Sequence, residues 1–96
     1  MAKGYWVSAY HAVHNTDKLA AYAKLAGPAI EANGGRFLAR GTAAKANEAG
    51  IAQRTVIVEF DSVEKAIAAH DSPGYQAALQ ALGDGVTRDL RVVDGV

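Results

Sequence analysis

The chain has 96 residues, enough for one small domain spanning residues 1–96; a domain of this size buries only about 60–65% of its unfolded surface, so a covering partner would add to its stability. Ten basic and ten acidic residues cancel, which leaves no basic stripe for nucleic acid and no polybasic segment for a membrane surface. The absence of cysteine excludes disulfides, zinc–thiolate sites and thiol catalysis together.

Met1-Ala2-Lys3-Gly4 leads straight into an alternating strand rather than a signal peptide, and no apolar run approaches the roughly 20 residues that span a bilayer. A soluble cytoplasmic protein is the expectation. Tyr5 to Val13 alternates at period two and predicts the first strand, with Trp6, Ser8, Tyr10 and Ala12 on one face. His14-Asn15-Thr16-Asp17 supplies a turn and helix caps. Leu19, Tyr22, Ala23, Ala26 and Ile30 then recur at helical spacing, and Pro28 is expected to kink or split this helix near Gly27.

Gly34-Gly35-Arg36-Phe37-Leu38-Ala39-Arg40-Gly41 follows. Its glycines let the backbone leave the helix, and strict alternation would place Arg36, Leu38 and Arg40 on one strand face. Thr42 to Gln53 is small, polar and loop-like. Arg54 to Phe60 is nearly continuously apolar and β-branched, as expected of a central strand. Asp61-Ser62-Val63-Glu64 resembles a capping box with Asp61 as cap. Val63, Ala66, Ile67 and His70 would form the inner stripe of the second helix.

Ser72-Pro73 restarts the helix, with serine as cap and proline in the first turn. Tyr75, Ala78, Leu79 and Leu82 continue inward, and Gly83 ends the stripe. Leu90 to Val93 predicts the last strand. The order βαββαβ argues for a ferredoxin-like α+β sandwich, a four-stranded antiparallel sheet with helices on one face. The other face then needs a cover, and a second copy of the chain is the simplest one.

Four ordered blocks, KGYW, GGRFLARG, RTVIVEF and SPGYQAAL, resemble the domain of unknown function 1330 family over essentially the whole chain. The resemblance implies the dimeric α+β barrel superfamily, in which two ferredoxin-like subunits form a homodimer by sheet-to-sheet packing. Relatives there include cofactor-free monooxygenases, muconolactone-type isomerases and haem-handling enzymes, while the family itself carries no established reaction. Tyr22, Gly35, Arg40 and Gly41 match the family pattern, as do Glu59, Phe60, Ser72, Pro73 and Tyr75. Many members carry an arginine seven residues after the tyrosine, where this chain has Leu82 and then Gly83. A pocket completed by that arginine would here be less cationic, or be served by Arg88 or Arg91. His70 stands where an aromatic residue is common.

Arg40 and Glu59 come from neighbouring strands. Read functionally, Arg40 orients a ligand and Glu59 is the catalytic base; read structurally, they form a cross-strand ion pair, which is the favoured reading. Trp6, Ser8 and Tyr10 would line an aromatic pocket with two hydroxyl handles, or else form the subunit interface. Tyr22 and Tyr75 are expected in the core with hydroxyls reaching the cavity edge. Ser72 opens a helix whose N–H groups can hold an anion, although such a serine more often caps its own helix. His11, His14 and His70 show no converging cluster, so no metal or other cofactor is expected. His70 and Asp71 are adjacent on a helix and point about 100° apart, which disfavours a dyad.

These readings predict a small-molecule-binding domain for a small aromatic or anionic metabolite, conceivable as a cofactor-free enzyme of proton transfer or isomerisation. Arg40, Trp6, Tyr10, Tyr22, Ser72 and Tyr75 are its candidate ligand-binding residues. The alternative is a non-catalytic dimeric stress or accessory protein in which the polar residues merely hold the dimer.

Overall fold

A computed structural model describes residues 2–96. Period-two alternation does what the sequence leads one to expect: β1 (Gly4–Val13) buries Gly4, Trp6, Ser8 and Tyr10 and leaves the residues between them half-buried. Helix α1 (Thr16–Ala32) follows, capped by Asn15, whose side chain accepts from the Lys18 N–H at 3.0 Å. Strands β2 (Arg36–Thr42) and β3 (Arg54–Phe60) form a hairpin with a long connection. Helices α2 (Val63–Asp71) and α3 (Pro73–Leu82) meet at Ser72, and β4 (Val86–Asp94) closes the order.

The sheet is antiparallel with order β2-β3-β1-β4, a ferredoxin-like arrangement that puts β3 and β1 in the middle. Trp6, Ser8 and Tyr10 of β1 and the even-numbered side chains of β3 lie beneath the helices, whereas a register shift between Tyr10 and Ala12 pairs Ala12 with Thr87 and turns it to the open face, against expectation. Trp6 is 2% exposed and packs on Phe60 and Tyr75 at ring-centroid distances of 5.2 and 4.8 Å. Its indole N–H donates to the Ala66 carbonyl at 2.8 Å, so one side chain ties the sheet to α2. Burying an apolar side chain of this kind contributes roughly 1.5–3 kcal/mol. The inner stripe of α1 is Tyr22, Ala26 and Ile30, and that of α3 is Tyr75, Ala78 and Leu82.

Gly34 takes φ +84, a left-handed conformation that releases the chain from α1. Gly35 is required for space instead: a Cβ there would lie 2.5 Å from Ile30 Cγ2 and 3.0 Å from Phe60 Cε1.

Several expectations are corrected. α1 is not split at Pro28, which lies on its exposed side along with Lys24, whose carbonyl would have received the missing N–H bond and can take water instead. The cap of α2 is Ser62 rather than Asp61: its hydroxyl accepts from the Lys65 N–H at 3.1 Å, and Asp61 binds Lys3 and Arg36. Ile67 is 48% exposed, and Ala69 faces inward in its place beside Ala66, which is buried as expected. The last strand begins at Val86, not Leu90. Its polar first half was invisible to an apolar criterion but pairs fully with β1.

The largest correction concerns β2. Phe37 pairs with Val58 and Ala39 with Ile57, so Leu38 is the extra residue of a bulge. Beyond it the alternation is reversed. Arg40 pairs with Val56 and joins Phe37 on the helix side, while Arg36 stays on the open side opposite Glu59.

Candidate functional site

The strand register lays out the inner face of the sheet in rows, with neighbouring strands about 4.8 Å apart. One row is apolar: Phe37, Val58, Trp6 and Val92. The next runs Arg40, Val56, Ser8 and Leu90. In the third, Tyr10 pairs with Arg88, and Arg54 lies on its other side with its guanidinium carbon 5.9 Å from the Tyr10 ring centroid. Apolar packing therefore gives way to three arginines along one face.

Helix α1 roofs this surface with Tyr22, Ala23, Ala26, Gly27 and Ile30, which leaves a pocket between helix and sheet. About 450 Å³ of empty space lies within it, solvent at the mouth included, yet only about 40 Å³ admits the centre of a water molecule. The space is a narrow slot. Arg40, Arg54 and Arg88 all line it, and no carboxylate does.

Arg88 is the best-held of the three. Its Nη1 donates to the Tyr10 hydroxyl at 2.9 Å and to Tyr22 at 3.2 Å, and its Nη2 donates to Tyr75 at 3.0 Å. The Tyr22 and Tyr75 hydroxyls are 2.7 Å apart and share a hydrogen bond. Burial works against the Arg88 charge, but the three phenol oxygens outweigh it and hold the guanidinium above its ordinary pKa. Burial pushes the Tyr75 phenol well above its ordinary range, and the neighbouring Tyr22 adds to this. Tyr75 is therefore a neutral hydrogen-bonding group at physiological pH, not a base.

Arg54 and Arg40 are less committed. Arg54 is half-buried, and its Nε is fully enclosed without a hydrogen-bond partner. Ser8 is 4% exposed, and its hydroxyl is likewise unpartnered. Arg40 stands exposed at the mouth with its guanidinium carbon 4.1 Å over the Phe37 ring. Among the described residues none of the three arginines has a carboxylate within 4.0 Å. Such a set can hold an anion and stabilise negative charge.

The pocket brings together Arg40, Trp6, Tyr10 and Tyr22, with Tyr75 one hydrogen bond behind its wall. The face carrying Trp6 and Tyr10 is covered by helices, so it is not the subunit interface. Ser72 lies outside the pocket. Its hydroxyl caps α3, accepting from the Tyr75 N–H at 3.4 Å, and donates to the Ala69 carbonyl at 2.7 Å. Glu59 is on the opposite face of the sheet, where Tyr5 donates to its Oε2 at 2.8 Å and Arg36 Nε to its Oε1 at 3.1 Å. The Tyr5 bond first, and Arg36 second, lower the Glu59 pKa. The expected Arg40–Glu59 pair is thus replaced by Arg36–Glu59, and Glu59 does not reach the ligand pocket.

Arg54 was missed because it opens a strand that reads as a uniform apolar run. Counting in twos from Val58 places it on the inner face. Arg88, which the sequence offers only as a substitute for an absent arginine, is the centre of the phenol cluster. His11 Nε2 lies 2.8 Å from Asp89 Oδ2, His14 Nε2 2.7 Å from Thr87 Oγ1, and His70 Nδ1 3.7 Å from Asp71 Oδ1, closer than their adjacency on the helix suggests. Among the described residues no three His, Cys, Asp or Glu side chains converge in a metal-binding arrangement.

The family model for a domain of unknown function, DUF1330, matches residues 3–96. The chain belongs to this family. Among solved structures, this DUF1330 protein is similar to a protein of unknown function from Rhodopseudomonas palustris, with 17% identity, TM-score 0.77, and coverage of 99% of this chain and 83% of that one. It is also similar to SnoaB, a cofactor-independent oxygenase from Streptomyces nogalater, with 14% identity, TM-score 0.65, and coverage of 97% and 92%. A dimeric ferredoxin-like protein of unknown function from Thermobifida fusca matches with 19% identity, TM-score 0.63, and coverage of 97% and 91%. At these identities the likeness establishes the fold alone. No curated protein matches the chain. Among the described residues no helix is long and apolar enough to cross a membrane.

Proposed function

We propose that this DUF1330 protein binds a small anionic molecule in the slot between the sheet and α1. The observation that carries this reading is the convergence of Arg40, Arg54 and Arg88 on one pocket whose lining contains no carboxylate. A partly buried cation without a counter-charge carries a desolvation cost, as at Arg54 and Arg88, and a bound anion offsets that cost. The likeness to a cofactor-independent oxygenase supports a pocket that takes a small organic molecule directly. Arg40 at the mouth draws and orients the ligand, while Trp6, Tyr10 and Tyr22 shape the wall. Tyr75 holds Tyr22 and Arg88 in place.

Any chemistry in this pocket rests on stabilising negative charge, as in proton transfer or isomerisation beside a carbonyl. The lining supplies donors, guanidiniums and phenols, and no carboxylate base. Glu59 would serve as a base only for a ligand on the opposite face. Binding is therefore the stronger part of the reading.

The domain is also proposed to act as a homodimer, with its open sheet face against a second copy. Val7, Ala9 and Ile57 lie on that face under no helix, beside Val93 at 47% exposure. The T. fusca protein, described as dimeric, supports a dimer.

Calorimetric titration with small anions tests the binding reading. Replacing a charge-assisted hydrogen bond removes about 1.5–3 kcal/mol, so Arg40→Ala and Arg54→Met should each weaken binding by roughly tenfold or more. Unchanged affinity in both variants would sink the assignment.

A further inference from the structure

We infer that the ligand is a compact carboxylate with a short, flat apolar tail, its carboxylate on Arg54 and Ser8 and its tail under α1 against Trp6 and Val58. This rests on the anion-binding reading above and names the ligand class for the same slot.

Two atoms locate the head group. The Arg54 Nε and the Ser8 hydroxyl are both enclosed and lack a partner, and both residues line the slot. Buried donors are nearly always satisfied, so two orphans on residues lining one cavity call for an acceptor. The edge of a guanidinium that carries Nε offers two parallel N–H groups, which match the two oxygens of a carboxylate. A third donor, the serine hydroxyl, fits one remaining lone pair. Arg88 has three of its five N–H groups engaged by the phenols and adds positive potential to the slot. A phosphate dianion, with three terminal oxygens and tighter hydration, asks for more donors than this pair provides.

The tail direction follows from the rows of the sheet. From Arg54 the lining passes to Val56 and then Val58 along β3, and from Ser8 to Trp6 along β1, so polarity falls in one direction. Only about 40 Å³ of the slot is open to a water centre, which suits a slender body. Helix α1 leaves room above it. Gly27 lines the slot, and a Cβ built there meets nothing within 4 Å. A glycine inside a helix costs helical stability, and at this position a side chain would have open space.

The test is calorimetric titration of the whole domain with benzoate, benzamide, acetate and inorganic phosphate at fixed ionic strength. The variants are Ser8→Ala, Arg54→Met and Gly27→Leu. Benzoate is expected to bind at least tenfold more tightly than acetate or phosphate, with benzamide at least tenfold weaker than benzoate. Ser8→Ala and Arg54→Met should each weaken benzoate about tenfold. Gly27→Leu should reduce benzoate to the acetate level while acetate still binds; leucine improves on glycine in a helix, and retained helical circular dichroism separates blockage from unfolding. Phosphate binding above benzoate, or full benzoate affinity in Gly27→Leu, would each overturn the carboxylate-and-tail inference while leaving the anion reading intact, whereas benzamide equal to benzoate would overturn both. If none of the three anions binds, both fall.

Discussion

Arg36 lies directly opposite Glu59 across the β2–β3 ladder, and its Nε donates to the carboxylate at 3.1 Å. Tyr5 closes the same carboxylate from β1, at 2.8 Å. Glu59 therefore has its partners on the open face, and the bulge at Leu38 sends Arg40 to the other side without one. A cation that sequence reading assigned to an ion pair becomes available to a ligand.

The Arg36–Glu59 pair should matter little to stability and nothing to ligand binding. Both side chains are partly exposed, at 45% and 21%, and pairs screened by solvent in this way contribute little. Arg36→Ala and Glu59→Gln are expected to lower stability in urea unfolding only slightly, with anion affinity unchanged. A loss of affinity in either would connect the open face to the pocket, against this account.

Acid should weaken this cluster. The folded pKa of Glu59 is held below its ordinary 4.5 by Tyr5 and then Arg36, and that of Asp61 below 3.8 by Lys3 and then Arg36. Their stabilisation is fully present above those ordinary values and is lost as pH falls through the lowered folded ones. Tyr5 is opposite in sign: its bond to Glu59 raises its pKa above 10.0, so its share is present below that value and is lost as pH rises through the folded one. Urea unfolding between pH 7 and 3 should show a smaller acid loss for Glu59→Gln than for wild type; equal slopes would contradict the assignment.

Much of the fold was legible because local rules agreed with it. The β1 alternation, the apolar run of β3, the Asn15 cap and the Ser72-Pro73 restart each map onto an observed element. The site was less legible for two physical reasons. A bulge reverses the facing of every residue beyond it, and nothing in Phe37-Leu38-Ala39 announces one. Arg88 sits in the polar half of β4, between Thr87 and Asp89, where hydrophobic periodicity carries no signal. Its position beside Tyr10 comes from strand pairing, which is a long-range property.

Gly35 and Gly41 frame the same strand but should respond differently to alanine. At Gly35 the new Cβ would meet Ile30 and Phe60, and overpacking of this kind costs about 1–3 kcal/mol. At Gly41 it meets nothing within 4 Å. Thermal unfolding should separate the two variants clearly, with Gly41→Ala close to wild type. Equal melting temperatures would refute the close approach of β2 to α1.

Tyr75→Phe removes the hydroxyl shared by Tyr22 and Arg88 and keeps the buried ring, which is 0% exposed. Leaving buried donors short of an acceptor costs about 1–3 kcal/mol. The variant should fold, unfold at lower urea concentration and bind anions more weakly, since Arg88 loses one of its three anchors. Undiminished stability would show that the phenol cluster does not hold Arg88.

Thermal unfolding of wild type and Arg54→Met across a benzoate titration at fixed ionic strength tests the anion pocket most directly. A ligand at ten times its dissociation constant stabilises by about 1.4 kcal/mol, which in a domain of this size raises the melting temperature by roughly 6–11 °C. The account predicts a saturable rise of that order in wild type and its loss in Arg54→Met. No rise beyond that of a chloride control, or an equal rise in Arg54→Met, would contradict it.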